Sequence, residues 1–171
     1  MTSIIRATPA HSPLLSTMAT ETLLQSHATS PAAEGLNSYA KENYNEDVLK
    51  SELNDENNIY HIIYHNGQAA GYSKIMLNTP YTTGGITTVA KLDRLYLLAD
   101  FYDLKLGREL FHFNVELAKR NNQAGIWLYT WTGNNRAINF YKKNGFIIIG
   151  SHDFKVTAHL SNPNHQMYME F

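Results

Sequence analysis

Apolar residues recur along this chain at two spacings. Between His11 and about Ala28, Leu14, Leu15, Met18, Leu23 and Leu24 fall at roughly helical intervals and predict a first helix. Leu106, Leu110, Phe113 and Leu117 make a stripe at offsets of four, seven and eleven, predicting a helix that runs to Asn122. Ser30-Pro31 reads as the start of a helix from Ala32 to about Leu53, with Asn45 as a place for a break. Asn134 caps a short helix that Asn144-Gly145 stops. The remaining runs are short and rich in β-branched and aromatic residues. Ser3–Ala7, Asn58–His65, Gln68–Leu77, Lys91–Leu98, Gly125–Trp131, Phe146–Gly150 (extending toward Val156) and His165–Phe171 therefore read as strands. Asn66-Gly67 joins the second and third in a hairpin. Asn78–Thr88, with Pro80, Gly84 and Gly85, reads as a loop, and Asn162-Pro163 as another.

The order strand, two helices, three strands, helix, strand, helix, two strands predicts one mixed α/β domain, α+β-like in its segregation, over residues 1–171. Its centre is a mostly antiparallel sheet of about seven strands with about four flanking helices and one parallel crossover in the middle. At 171 residues, 43% apolar and 17% charged, the chain can bury a substantial core. A formal net charge of −1 makes no electrostatic case for nucleic acid as a partner. Without cysteine, disulfides, thiolate metal sites and cysteine nucleophiles are excluded. His61 and His65 share a strand face about 13 Å apart, too far to hold one metal ion together. No run approaches the ~20 apolar residues of a membrane span, and no signal peptide is evident, so the expected location is the cytoplasm. Open sheet edges leave room for a homodimer. Glu34, Glu42, Glu46, Asp47, Glu52, Asp55 and Glu56 form either a solvated face or a rim that attracts a cation.

The candidate chemistry is concentrated between Lys91 and Phe146. Period two places Asp93, Leu95 and Leu97 on one face of their strand, and Leu92, Arg94, Tyr96 and Leu98 on the other. Gly107 opens a helix, where unpaired backbone N–H groups favour an anion, and Lys105 and Arg108 add positive charge beside it. Ala137, Phe140 and Tyr141 lie on one face of the short helix.

Asn134, Ala137, Ile138, Phe140, Tyr141, Lys142, Gly145 and Phe146, with the order of elements and the strand Leu95-Tyr96-Leu97, resemble the GNAT superfamily of acyl-CoA-dependent N-acetyltransferases. Within it the chain is similar to the small bacterial enzymes that include spermidine/spermine N-acetyltransferases. The family's turn runs glutamine or arginine, two residues, glycine, one residue, then glycine or alanine. Here it reads Tyr102-Asp103-Leu104-Lys105-Leu106-Gly107, and only Gly107 matches.

The resemblance implies transfer of an acetyl group from acetyl-CoA to the primary amine of a small molecule, polyamine-like or other, by direct attack in a ternary complex. It also implies that Leu95 and Leu97 pair with the pantetheine arm. Tyr102, Lys105, Leu106, Gly107 and Arg108 would then hold the pyrophosphate, and Asn134 the pantetheine or diphosphate portion. The Leu97 N–H becomes an oxyanion donor, and Tyr141 protonates the departing thiolate; its ordinary pKa of ~10 is close to that of a thiol. Family members that use a carboxylate base often carry it on the strand before the turn, which points to Asp93, with water as the alternative. The irregular turn leaves a second reading open, a non-catalytic acyl-CoA-binding or regulatory module.

Overall fold

Asn66 and Gly67 both take positive φ, 49° and 81°, which matches the right-handed twist of the two strands they join. Those strands are β2 (Ile59–His65) and β3 (Gln68–Met76). The computed structural model describes residues 1–82 and 85–171. Around the hairpin, β1 (Thr2–Arg6), β4 (Ala90–Leu97), β5 (Gly125–Trp131), β6 (Ile147–Lys155) and β7 (Ser161–Glu170) complete one seven-stranded sheet. Its order is β1-β2-β3-β4-β5-β7-β6, and only the β4–β5 pair is parallel. Thr83 and Gly84 of the expected loop lie outside the described residues.

Five α-helices are found among the described residues, where about four were expected: α1 (Ser12–His27), α2 (Leu36–Asn43), α3 (Glu46–Asn54), α4 (Leu106–Arg120) and α5 (Asn135–Lys143). The extra one comes from the break at Asn45, whose side chain accepts a hydrogen bond from Val48 N and starts α3. The helix expected from Ala32 begins only at Leu36. Ala32 N donates instead to the buried Asn162 Oδ1 of β7 at 3.0 Å, which pins Ser30–Gly35 to the sheet. Asn162-Pro163, expected as a loop, belongs to β7. The Pro163 carbonyl accepts from Thr132 N, just past the end of β5, so no β5 carbonyl there needs the missing proline donor.

Helices α1, α2 and α3 cover one face of the sheet, with Leu15, Leu36, Leu49, Tyr60, Ile62 and Tyr72 at the centre of that core. Helices α4 and α5 cover the other, around Ile75, Leu92, Phe111, Ile126, Leu128 and Met167. The stripe that α4 buries differs from the expected one: Phe111, Asn114, Val115 and Ala118 join Leu106 and Leu110, while Phe113 is 37% exposed. Asn114 is tolerated inside because its amide donates to Ser73 Oγ and to the Leu110 carbonyl. Among the described residues, no helix is long and apolar enough to cross a membrane.

Candidate active site

Strand β4 begins as the parallel neighbour of β5 and then leaves it. Only Ala90 and Lys91 pair across, opposite Ile126 and Trp127, while on its other edge β4 follows β3 as far as Leu97. Beyond Lys91 the edge turned toward β5 therefore has no strand partner among the described residues, and such backbone groups take water or a ligand instead. The resulting gap is lined by Leu92 to Tyr96 on one side and Tyr129 to Trp131 on the other, with Asn134, Ala137 and Tyr141 of the α5 segment.

A bulge in β4 reorients the residues beside the gap. Lys74 lies opposite Arg94 and Ile75 opposite Leu92, which leaves Asp93 as the additional residue. Leu92, Leu95 and Leu97 consequently all pack on the α4 side. Asp93 and Arg94 both turn to the opposite side, toward Lys74 and Glu52. The expectation that Asp93 shares a face with Leu97 is thus corrected: strict alternation fails at the bulge. Lys91 Nζ lies 2.8 Å from Asp93 Oδ1, with Lys74 at 3.4 Å and Arg94 Nε at 3.8 Å from Oδ2. Burial alone would raise this carboxyl, but the three cations prevail and hold it at about 2. Such a group is a poor base at neutral pH.

A cavity of about 590 Å³ runs from the gap to the start of α4. Leu95, Leu97, Tyr102, Lys105, Gly107, Arg108, Asn134 and Tyr141 line it. Leu106 does not: its side chain is 2% exposed and packs in the core, so only its backbone is available to a ligand. Asp93 lines two adjoining chambers of about 160 and 70 Å³ instead. Lys105 stands just before α4 at φ 62°, the left-handed conformation that glycine adopts most readily. The unusual turn sequence therefore keeps a glycine-like path. Asn134 caps α5 through a 3.1 Å bond from Ala137 N and lines the cavity as well. Tyr141 is 8% exposed and rests against Phe146 and Phe111; desolvation raises its pKa, so its hydroxyl keeps its proton.

Arg136, His27 and Asn164 line these cavities and escape a reading of the sequence. Arg136 lies 4.1 Å over the Tyr102 ring and 3.1 Å from Asp103 Oδ1 at the cavity mouth. Its signal was a cation in the first turn of a helix, where the dipole disfavours positive charge unless an anion is near. His27, the last residue of α1, lines both smaller chambers; its ring lies 5.8 Å from Trp131 and 6.5 Å from Tyr96. Ser26 Oγ is 2.7 Å from its Nδ1, and burial lowers its pKa, keeping the imidazole neutral. A single histidine at the end of a helix gives no such signal in one dimension. The acidic residues Glu34, Glu42, Glu46, Asp47, Asp55 and Glu56 are exposed and line none of these cavities. Glu52 turns inward to Lys74, Arg94 and the Tyr60 hydroxyl.

Residues 22–146 match the acetyltransferase (GNAT) family. The chain is 25% identical over 134 residues to an uncharacterized N-acetyltransferase from the pepI 3′ region of Lactobacillus delbrueckii subsp. lactis, covering 78% of each chain. Over 98 residues it is 30% identical to an uncharacterized N-acetyltransferase of Mycobacterium tuberculosis, covering 57% of this chain and 58% of that one. Its fold aligns with that of the PaiA N-acetyltransferase from Thermoplasma acidophilum, solved with coenzyme A, at a TM-score of 0.81. Identity there is 19%, over 100% of this chain and 99% of the other. The match spans most of the chain, including the splayed strands and the α4 and α5 starts: the protein belongs to the GNAT family and is an acyltransferase.

Proposed function

We propose that the chain transfers an acetyl group from acetyl-CoA to the primary amine of a small molecule by direct attack in a ternary complex. One observation carries this reading: a single cavity joins the unpaired edge of β4, the N-terminus of α4 and the Tyr141 side chain. Acetyl-CoA fits each part. The β4 edge at Leu95 and Leu97 offers backbone groups to the amides of the pantetheine arm. The Leu106 and Gly107 N–H groups at the helix start, with the Lys105, Arg108 and Arg136 side chains around them, suit the pyrophosphate. Tyr102, stacked under Arg136, and Asn134 border the same path.

In the reaction the amine nitrogen forms a bond to the thioester carbonyl carbon and the C–S bond breaks. The Leu97 N–H stabilises the oxyanion, and Tyr141 gives its proton to the thiolate. The proton lost by the amine goes to a base. Of the two routes considered for that step, Asp93 is already committed to three cations. The water route fits better, with the neutral His27 imidazole at the junction of both chambers as the group that receives the proton.

Thiol release from acetyl-CoA over a panel of amines tests this reading. Tyr141→Phe should lower kcat about 10²-fold with CoA affinity unchanged in calorimetry. An unchanged rate would remove Tyr141 as the acid. CoA binding with no turnover of any amine would instead favour the non-catalytic module. His27→Gln should lower kcat/KM and flatten the acidic limb of its pH profile, a limb that lies below the ordinary histidine value of ~6.5.

A further inference from the structure

Resting on the acetyl-transfer reading, we propose that the acceptor amine also carries a carboxylate, and so belongs to the amino acids rather than the polyamines. The larger chamber beside the gap, about 160 Å³, suits a small molecule. Aromatic rings including Tyr39, Tyr44, Tyr129 and Phe154 form much of its wall, and its fixed charges come from Lys91, Asp93 and Arg94 of β4. Directly behind stand Lys74 and Glu52, and the five charged side chains form one network. Asp93 is met by Lys91, Lys74 and Arg94; Glu52 is met by Lys74, Arg94 and the Tyr60 hydroxyl. None of the five side chains is more than 23% exposed, so water does little to offset an imbalance among them.

An imbalance exists. Three cations face two carboxylates, and one positive charge is left without a counter-charge in a place largely withdrawn from solvent. Holding such a charge is costly, and an anion entering the chamber would neutralise it. A polyamine meets the opposite situation: both carboxylates already accept from lysine, arginine or tyrosine donors, and its additional ammonium groups would enlarge the surplus. His27 leaves the balance alone, because its half-buried ring between Trp131 and Tyr96 has a lowered pKa and stays neutral.

The amine end has its own partner. Asn164 Oδ1 is buried and accepts no hydrogen bond among the described residues, and Asn164 lines both the chamber and the gap beneath Tyr141. A buried carbonyl oxygen left open is matched by an N–H donor, which the acceptor nitrogen supplies. With its nitrogen at Asn164 and its carboxylate toward Lys91 and Arg94, an amino acid spans the chamber and presents its amine to the gap.

The test compares glycine, β-alanine, 4-aminobutyrate and lysine with the corresponding amides and with spermidine, using thiol release by the full chain. Amino acids should exceed their amides in kcat/KM by about tenfold or more, since the amide removes only the anion. Lys91→Met should raise KM for the best amino acid by a similar factor and erase its advantage over the amide. CoA binding, measured by calorimetry on the same variant, should be retained and shows that the fold is intact. Preference for spermidine or for the amides overturns the proposal while leaving acetyl transfer standing, as does a Lys91→Met variant with unaltered selectivity. Failure of the wild-type chain to bind CoA overturns the acetyl-transfer reading and this one with it.

Discussion

Lys105 holds a backbone conformation that costs a residue with a Cβ about 1 kcal/mol, and it does so where α4 begins. Asp103, two positions earlier, is also left-handed at φ 65°. Two non-glycine residues at positive φ in one short turn mean that the turn's shape is imposed by what surrounds it. Leu106 is anchored in the core directly after it, and Tyr102 is held under Arg136. What lysine adds over glycine is a charge beside the Leu106 and Gly107 N–H groups that open the helix. Lys105→Gly should therefore stabilise the protein by about 0.5–1 kcal/mol in urea unfolding. The same change should weaken CoA binding about fivefold in calorimetry, with a reduced salt dependence. Loss of stability would show that the lysine side chain braces the turn; unchanged CoA affinity would remove it from the phosphate site.

At the scale of elements, the site depends on β4 keeping one neighbour and losing the other. Gly71 of β3 lies opposite Leu97, and a methyl group there would overlap the Tyr96 carbonyl and the Leu97 side chain. Gly71→Ala should cost about 2–4 kcal/mol and push the Leu97 end of β4 out of line, so CoA affinity should fall even where the variant remains folded. Retained stability and affinity would show that β4 yields at no cost to the site. The neighbouring elements differ in how far they could be read in one dimension. The Asn66-Gly67 hairpin, the crossover through α4 and the Asn134 cap each depend on residues adjacent in sequence, and each was legible. The β4 bulge was not, because Lys91 to Leu98 presents the same residues whether or not one of them is unpaired. The α4 stripe misled for a related reason: Asn114 reads as outward until Ser73, far away in the chain, is known to receive its amide. The residues lining the main cavity were mostly legible because a strand end and two helix starts announce themselves locally. His27 and Asn164 were not, since they come from the ends of the chain and meet the site only through tertiary packing.

For the molecule as a whole, a sheet covered by helices on both faces places histidines where charging them is expensive. His61 of β2 packs edge-on against Phe113 at 4.7 Å and is 5% exposed. Desolvation, helped by the Arg6 guanidinium, lowers its pKa to about 4. In the unfolded chain the same group titrates near ~6.5. As pH falls from about 6.5 to about 4, the unfolded chain takes up this proton and the folded one does not, so stability declines across that window. His27 acts in the same direction through its own lowered pKa. Asp93 behaves differently: its depressed carboxyl favours the fold above about 4, and that contribution is lost only as pH falls toward about 2. Urea unfolding at pH 7, 5.5 and 4.5 should therefore show a loss of about 1–3 kcal/mol before any carboxylate in the β4 network is protonated. His61→Phe replaces the ring with one that takes no proton, and should reduce that slope while leaving the decline below pH 4 in place. A wild-type profile flat from pH 7 to 4.5, or a slope that His61→Phe leaves unchanged, would show that His61 takes up its proton in the folded state as readily as in the unfolded chain.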